Sequence, residues 1–329
     1  MVKSSEARSS IPYELQGKRV WVAGHRGMVG LALVRRLATV GCELLVVDRQ
    51  TLDLTRQDPV KRWMAQARPQ AVFVAAAKVG GILANDTYPT EFLYDNLMIE
   101  TNIIQAAADI GVEKLLFLGS SCVYPKLAPQ PIREDALLSG PLEPTNEWYA
   151  IAKIAGIKLT QAYRKQFGCD FISAMPTNLY GPGDRYDLAN SHVLPALIRK
   201  AHEAKKRGEK EFIIWGTGAP RREFLHVDDC ADALLRIMQF YADAEHINIG
   251  SGEDLTILEL ARLVADVVGF SGEIALDPSK PDGTPRKLLN SEKLRALGWR
   301  PRIGLREGIA GAYGAFLAES SDRADVASR

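Results

Sequence analysis

Val20-Trp21-Val22-Ala23 runs directly into Gly24-His25-Arg26-Gly27-Met28-Val29-Gly30, and the apolar recurrence that follows reads as a helix. A strand that turns through three glycines into a helix leaves few folds open. Glycine permits the tight turn, the close approach of a pyrophosphate and close packing of the helix, while exposed N–H groups at a helix start stabilise phosphate charge. The spacing is G-x-x-G-x-x-G rather than G-x-G-x-x-G, yet strand, loop and helix stand in the order a dinucleotide fingerprint requires. Gly24, Arg26, Gly27, Met28, Val29 and Gly30 are accordingly the candidate cofactor loop, against the plainer reading of a glycine-rich turn.

Further short apolar runs, at 43–47, 71–76, 114–119 and 170–175, alternate with longer amphipathic stretches at 31–40, 92–110 and 149–167. Runs that are apolar throughout read as strands buried on both faces. Strand and helix in alternation predict an α/β fold built on a doubly wound parallel sheet of the Rossmann type. After about Met175 the rhythm changes. A loop rich in Pro, Gly and Asn (176–190) precedes a basic helix (193–207) and a strand (211–215), which points to a second, smaller substrate domain. His226-Val227-Asp228-Asp229 then opens an apolar helix, and 246–250 reads as a strand returning to the first unit. The expected division is 17–178 with 226–250 for the dinucleotide-binding domain, and 179–225 with 251–318 for the substrate domain. The polar ends, 1–16 and 319–329, are expected to be mobile tails.

Forty-one Lys and Arg against 40 Asp and Glu leave a net charge of +1, without the excess of an electrostatic nucleic-acid binder. The 47 % apolar and 25 % charged fractions exclude a disordered or collagen-like chain. Cys42, Cys122, Cys169 and Cys230 are widely spread, so neither a disulfide framework nor a metal site is expected. With no leader pattern and no run of about 18 apolar residues, the expectation is a compact cytoplasmic protein with no membrane or nucleic-acid partner.

Beyond the second strand, Asp48 and Arg49 stand where the chain should meet an adenosine ribose. An acid there favours the free 2′-hydroxyl of NAD, and an arginine the 2′-phosphate of NADP. Arg26 offers a second guanidinium, which fits phosphate bidentately, so NADP(H) is expected, with Asp48 turned into water. Tyr149 and Lys153, four residues apart on a helix, share a face. A nearby ammonium favours phenolate and brings a group that ionises at about 10 toward the range useful in acid–base catalysis. Most Y-x-x-x-K pairs are surface pairs. This one lies downstream of Gly119-Ser120-Ser121-Cys122-Val123-Tyr124, at the carboxyl edge of a predicted strand, where ligands gather.

Together these residues resemble the extended short-chain dehydrogenase/reductases that act on nucleotide sugars, in particular the branch that makes GDP-L-fucose. The resemblance runs from Arg19 to the region of Trp299 and also takes in Ala75-Ala76-Ala77-Lys78-Val79-Gly80-Gly81, Glu143-Pro144-Thr145-Asn146, Pro176-Thr177-Asn178-Leu179-Tyr180-Gly181-Pro182, Arg222-Glu223-Phe224-Leu225-His226 and Lys280-Pro281-Asp282-Gly283-Thr284-Pro285-Arg286-Lys287. It implies conversion of GDP-4-keto-6-deoxy-D-mannose to GDP-L-fucose, by epimerisation at C3 and C5 and reduction of the C4 ketone with NADPH. It also implies roles: Cys122 as base, His192 as acid, and Ser120 and Tyr149 on the C4 oxygen, which Tyr149 later protonates. Lys153 would bind the nicotinamide ribose, with Tyr149, Pro176, Asn178, Leu179 and His192 also against the cofactor. Lys200 and Arg222 would meet the diphosphate, Trp215 the nucleotide or sugar surface, and Asp282 a hydroxyl.

Without the resemblance, Cys122 reads as a small buried hydrophobe and His192 as part of a helix cap. Lys200 and Arg222 would then be solvated cations, Trp215 a core aromatic and Asp282 a turn residue. Related bacterial enzymes often carry an arginine just before the position of Asp48, where this chain has Val47. The family commonly pairs helices like 92–110 and 151–167 into a four-helix bundle, so a homodimer is expected. A nucleotide-sugar 4,6-dehydratase or 4-epimerase would share Tyr149 and Lys153, but dehydratases usually carry Asp-Glu where Ser121-Cys122 stands. A non-catalytic NADP-binding protein is the remaining alternative on such a fold.

Overall fold

The computed structural model describes residues 12–188, 191–280 and 282–327. β1 (Arg19–Ala23) leads into α1 (Met28–Leu37), β2 (Glu43–Leu45), α2 (Gln57–Ala67) and β3 (Ala71–Val74). α3 (Ile82–Thr87) and α4 (Pro89–Asp109) precede β4 (Lys114–Leu118), and α5 (Glu147–Phe167) precedes β5 (Phe171–Pro176). The chain continues through β6 (Asn178–Tyr180), α6 (Val193–Arg207), β7 (Glu211–Trp215), β8 (Arg221–His226), α7 (Val227–Phe240) and β9 (Ile247–Ile249). β10 (Asp254–Thr256), α8 (Ile257–Val268), β11 (Glu273–Asp277), β12 (Arg286–Lys287), α9 (Glu292–Ala296) and α10 (Leu305–Ala327) follow.

Six strands form one parallel sheet in the order β2-β1-β3-β4-β5-β9. Its register sets Trp21 beside Val72 and Phe73 beside Leu116. Every residue of β3 and β4 is buried, because helices cover both faces. On one face Val20, Val22 and Leu116 pack with Leu33 and Leu37 of α1 and Leu234 and Met238 of α7. On the other, Trp21, Val74 and Phe117 pack with Ile103 and Ile104 of α4 and Ile157 of α5. This is the doubly wound α/β sheet that the apolar runs predict.

The smaller unit centres on β8, which pairs with β6, β10 and β12, while β7 and β11 form a separate parallel pair. Leu197 and Ile198 of α6, Phe212 and Ile214 of β7, and Leu260 and Val264 of α8 fill its core. Local chemistry sets the helix ends. α4 opens at Pro89, where a missing N–H costs nothing. α5, α6 and α8 stop at Gly168, Gly208 and Gly269, each left-handed. Thr256 and Glu259 cap α8 reciprocally.

Several boundaries differ from expectation. α1 starts at Met28, three residues early, because the helix grows directly out of the glycine loop. β2 stops at Leu45, since it is an edge strand and Val46 is exposed. The stretch from Pro12 to Gln16 is not a tail: the Tyr13 N–H donates to the Gln239 carbonyl at 2.8 Å, and Leu15 is buried in the core beside α7. α10 runs on to Ala327, past residue 319. The rest of the expected tails, 1–11 and 328–329, lies outside the described residues, as do Asn190 and Pro281. Among the described residues no helix is long and apolar enough to cross a membrane.

Candidate active site

Strand order reverses between β1 and β3, so their carboxyl ends bound the crevice where a doubly wound sheet binds its ligand. The glycine loop stands there. Gly24 has φ +87°, and a Cβ on it would lie 2.6 Å from the Ala76 backbone. A Cβ on Gly30 would lie 2.1 Å from the Gly24 carbonyl oxygen, so loop and helix can approach this closely only as glycine. Gly27 is the N-cap of α1 and supplies no capping side chain, which leaves the first N–H groups at Met28 and Val29 for an anion. The cradle fits a dinucleotide pyrophosphate.

Beyond β2 the arrangement departs from expectation. Arg26 Nε lies 2.7 Å from Asp48 Oδ1, and His25 Nε2 lies 3.4 Å from the same oxygen. Asp48 is therefore tied back to the glycine loop rather than turned into water. Arg49 stands exposed beside it.

β4 delivers Gly119 and Ser120 to the same edge of the sheet. Ser120 Oγ accepts from the Cys122 N–H at 3.4 Å and turns the chain into a short 3-10 helix, Ser121–Val123. Cys122 is only half-buried; Asn146 Nδ2 donates to its Sγ at 3.3 Å, and Lys287 Nζ lies 4.0 Å away. On α5, Tyr149 meets the Phe92 ring edge-on, with centroids 6.4 Å apart. Lys153 is buried, its Nζ 4.5 Å from the Phe117 ring centroid, 6.0 Å from that of Tyr149 and 3.9 Å from Glu100 Oε2.

Burial pushes the Tyr149 phenol well above its ordinary range, Cys122 and Glu100 add to the rise, and a hydrogen bond with Ser120 offsets part of it. Burial holds the Lys153 ammonium down while Glu100 pushes it back up. The shift toward phenolate expected from the Tyr149–Lys153 spacing is therefore not what the site produces: burial keeps the phenol protonated. His192 is the N-cap of α6, yet its side chain makes no capping bond. Burial, and then Lys287, hold its imidazole below the usual range. Lys287 thus lies against the Cys122 thiol and its charge also acts on the His192 imidazole. Pro176 ends β5 nearby, Asn178 Nδ2 donates to the Glu223 carbonyl at 2.8 Å, and Leu179 packs on the core.

The smaller unit supplies the other wall. Lys200 Nζ donates to the Ile213 carbonyl at 2.9 Å and lies 5.4 Å from the Trp215 ring centroid, with Lys280 Nζ 5.7 Å from that ring. Trp215 is 49 % exposed, so it is an open aromatic surface between two cations and not a core residue. Burial lowers the Arg222 guanidinium, with Cys122, Glu143 and Asp282 opposing. Asp282 accepts from Thr217 N and Thr217 Oγ1, each at 2.8 Å, and so holds the turn that follows Trp215. Glu223, fully buried, accepts from Gly252 N at 2.7 Å and Leu289 N at 3.0 Å, tying β8 to the segment that brings Lys287 to Cys122.

A dinucleotide cradle at the switch point of a parallel sheet, faced by a Tyr–Lys pair, a thiol and an imidazole, defines a dinucleotide-binding protein equipped for proton transfer next to a carbonyl. The chain belongs to the NAD dependent epimerase/dehydratase family, which it matches over residues 20–250. It is 62 % identical to the GDP-L-fucose synthase of Sinorhizobium fredii over 94 % of this chain and 99 % of that one. It is 53 % identical to the GDP-L-fucose synthase of Escherichia coli, over 93 % of this chain and 98 % of that one. Among solved structures, a GDP-L-fucose synthetase from Naegleria fowleri bound to NADP superposes with a TM-score of 0.88 at 29 % identity, covering 96 % of this chain and 99 % of that one.

Three side chains at the site had no role from sequence: Glu100, Asn146 and Lys287. Asn146 and Lys287 lie inside motifs quoted for the resemblance, which was their only signal. Glu100 had none, because a glutamate on a helix ordinarily faces water.

Proposed function

We propose that this chain converts GDP-4-keto-6-deoxy-D-mannose to GDP-L-fucose, inverting C3 and C5 and then reducing C4 with NADPH. The observation that carries the reading is the Cys122 thiol met by Asn146 and Lys287, next to Ser120 at the carboxyl edge of the sheet. A 4-ketone acidifies the hydrogens on both neighbouring carbons, so inversion needs a base on one face, an acid on the other and donors for the enolate oxygen. Cys122 removes the proton from C3 and from C5 in turn; the Asn146 amide and the Lys287 ammonium are placed to hold the negative charge on sulfur. His192, whose imidazole is held below its usual range, gives its proton to the opposite face. Ser120 and Tyr149 hydrogen-bond the C4 oxygen throughout, and Tyr149, kept as a phenol by burial, protonates that oxygen in the reduction.

NADPH supplies the hydride for C4 when bound. Gly24, Gly27, Met28, Val29 and Gly30 would hold its pyrophosphate, Arg49 its 2′-phosphate, and Lys153, Pro176, Asn178 and Leu179 its nicotinamide end. Lys200 and Arg222 would take the GDP diphosphate and Trp215 a flat face of the nucleotide, with Asp282 keeping the Trp215 turn in place. The working unit is a homodimer joined through α4 and α5, whose exposed Tyr94, Trp148 and Ile151 support that pairing.

The purified protein should oxidise NADPH only when the keto-sugar nucleotide is supplied. Tyr149→Phe should slow that oxidation by about 10²- to 10⁴-fold while GDP and NADPH still bind. A wild-type protein that ignores the keto-sugar, or a Tyr149→Phe variant with full turnover, would contradict the reading.

A further inference from the structure

Glu100 is an acid the reaction above does not use. It is 1 % exposed on α4, and its carboxylate oxygens make no hydrogen bond of good geometry among the described residues, Lys153 and the Gly156 backbone being the groups that pull on it. Gly156 of α5 makes the space: a Cβ there would lie 2.9 Å from Glu100 Cδ and 2.4 Å from Phe117 Cζ. α5 thereby approaches α4 closely enough for Lys153 Nζ to reach 3.9 Å from Glu100 Oε2, with the Phe117 ring on its other side. An unmatched buried carboxylate is costly, and an apolar side chain of similar volume would pack at least as well. Its neighbour is the lysine of the Tyr149–Lys153 pair.

We propose that Glu100 is a positioning residue for that pair: its carboxylate keeps Lys153 as an ammonium and fixes it against Phe117, beneath the Tyr149 ring. The proposal rests on the reductive role given above to Tyr149 and Lys153.

Burial alone drives Lys153 toward the neutral amine, and Glu100 is the group that opposes it. Glu100 is itself pushed up to about 8 by burial, against the pull of Lys153 and the Gly156 backbone. Tyr149 is the other titratable group of α5 that feels Glu100, while β4 presents the uncharged Phe117. The cations of the remaining elements against α4 are engaged elsewhere along it: Lys78 with Glu91 and Asp95, and Lys61 of α2 with Asp109. The sign follows. Below about 8 the carboxyl is largely protonated and contributes little; above it the carboxylate keeps Lys153 charged. Removing the carboxylate therefore costs activity on the alkaline side, where the unsupported lysine loses its proton at lower pH.

The experiment is the pH profile of kcat and of KM for NADPH in Glu100→Gln, Glu100→Met and Glu100→Asp, with thermal unfolding of each. The Gln and Met variants should fold as stably as the wild type and stay within about threefold of its kcat on the acid side. On the alkaline side kcat should fall about tenfold or more, as a shift of one unit in the limb requires, with KM for NADPH changed less. Glu100→Asp should recover part of the loss. Folded Gln and Met variants with the wild-type profile, or with a loss equal at every pH, would overturn the proposal. If Tyr149→Phe is inactive while the Glu100 profiles are unchanged, Glu100 alone is refuted; if Tyr149→Phe is fully active, the role of the pair falls and this inference with it.

Discussion

Asp48 and Arg26, paired at 2.7 Å, change how the cofactor preference is carried. An unmatched carboxylate beside an adenosine ribose would repel a 2′-phosphate; one already neutralised by a guanidinium repels it less. Arg26 can join a phosphate clamp only by leaving Asp48, so the preference for NADPH proposed above would fall on Arg49, which stands exposed next to them. Arg49→Ala should raise KM for NADPH roughly tenfold and that for NADH far less, since it removes one charge-assisted contact, and added salt should weaken NADPH binding preferentially. Steady-state kinetics with both cofactors decides the matter; equal changes in the two KM values would remove Arg49 from the phosphate site. The glycine loop and the Tyr149–Lys153 spacing were legible because each is a local pattern whose geometry follows from a few neighbouring residues. The Arg26–Asp48 pair was not, because it joins the ends of two strands and depends on where each side chain finds its nearest opposite charge.

At the scale of elements, the same division holds between local and tertiary causes. β3 and β4 were readable as continuous apolar runs because helices cover both faces of the sheet, whereas α2 was overlooked: it buries Val60 and Met64 among polar neighbours, too thin a stripe to stand out. The α4–α5 contact was legible as two helices on a sheet but not as a close approach. What sets that approach is Gly156, where any side chain would press on Phe117 and Glu100. Gly156→Ala gains helix propensity but overpacks this contact, and overpacking of a well-filled core typically costs about 1–3 kcal/mol. The variant should therefore unfold at lower temperature by calorimetry and lose more kcat than NADPH affinity, because Lys153 lies in the displaced turn. A variant as stable and active as the wild type would mean that α5 shifts freely, leaving no fixed geometry for Glu100 and Lys153.

Across the whole molecule, the chain leaves the first unit after β5, builds part of the smaller one, returns through α7 and β9 to the edge of the parallel sheet, and then completes the smaller unit. The site lies where the two units meet, so Cys122 on one and Lys287 on the other are brought together by tertiary structure alone. The outer surface of α4 and α5 is a separate matter. Tyr94 is 58 % exposed, Trp148 41 % and Ile151 37 %, and the contact of Phe92 with Tyr149 puts the Tyr94 region of α4 beside the first turn of α5. Single exposed apolar residues need no partner, but three in the first halves of two adjoining helices fit an isologous interface, in which one surface meets its own copy. Such an interface would also brace the turn that carries Tyr149. Light scattering should therefore give twice the chain mass of 36.2 kDa at micromolar concentration. The double variant Tyr94→Glu, Ile151→Glu puts four like charges into a symmetric interface and should be monomeric. Because both substituted positions face solvent within one chain, the monomer should remain folded, and its circular dichroism should match that of the wild type. Its kcat should fall by several-fold rather than by the orders of magnitude expected of Tyr149→Phe, because the phenol is still present and only its support is loosened. A wild-type protein of single mass, or a double variant that still scatters as a dimer, would place the interface elsewhere or nowhere, and the exposed side chains of α4 and α5 would then be ordinary surface.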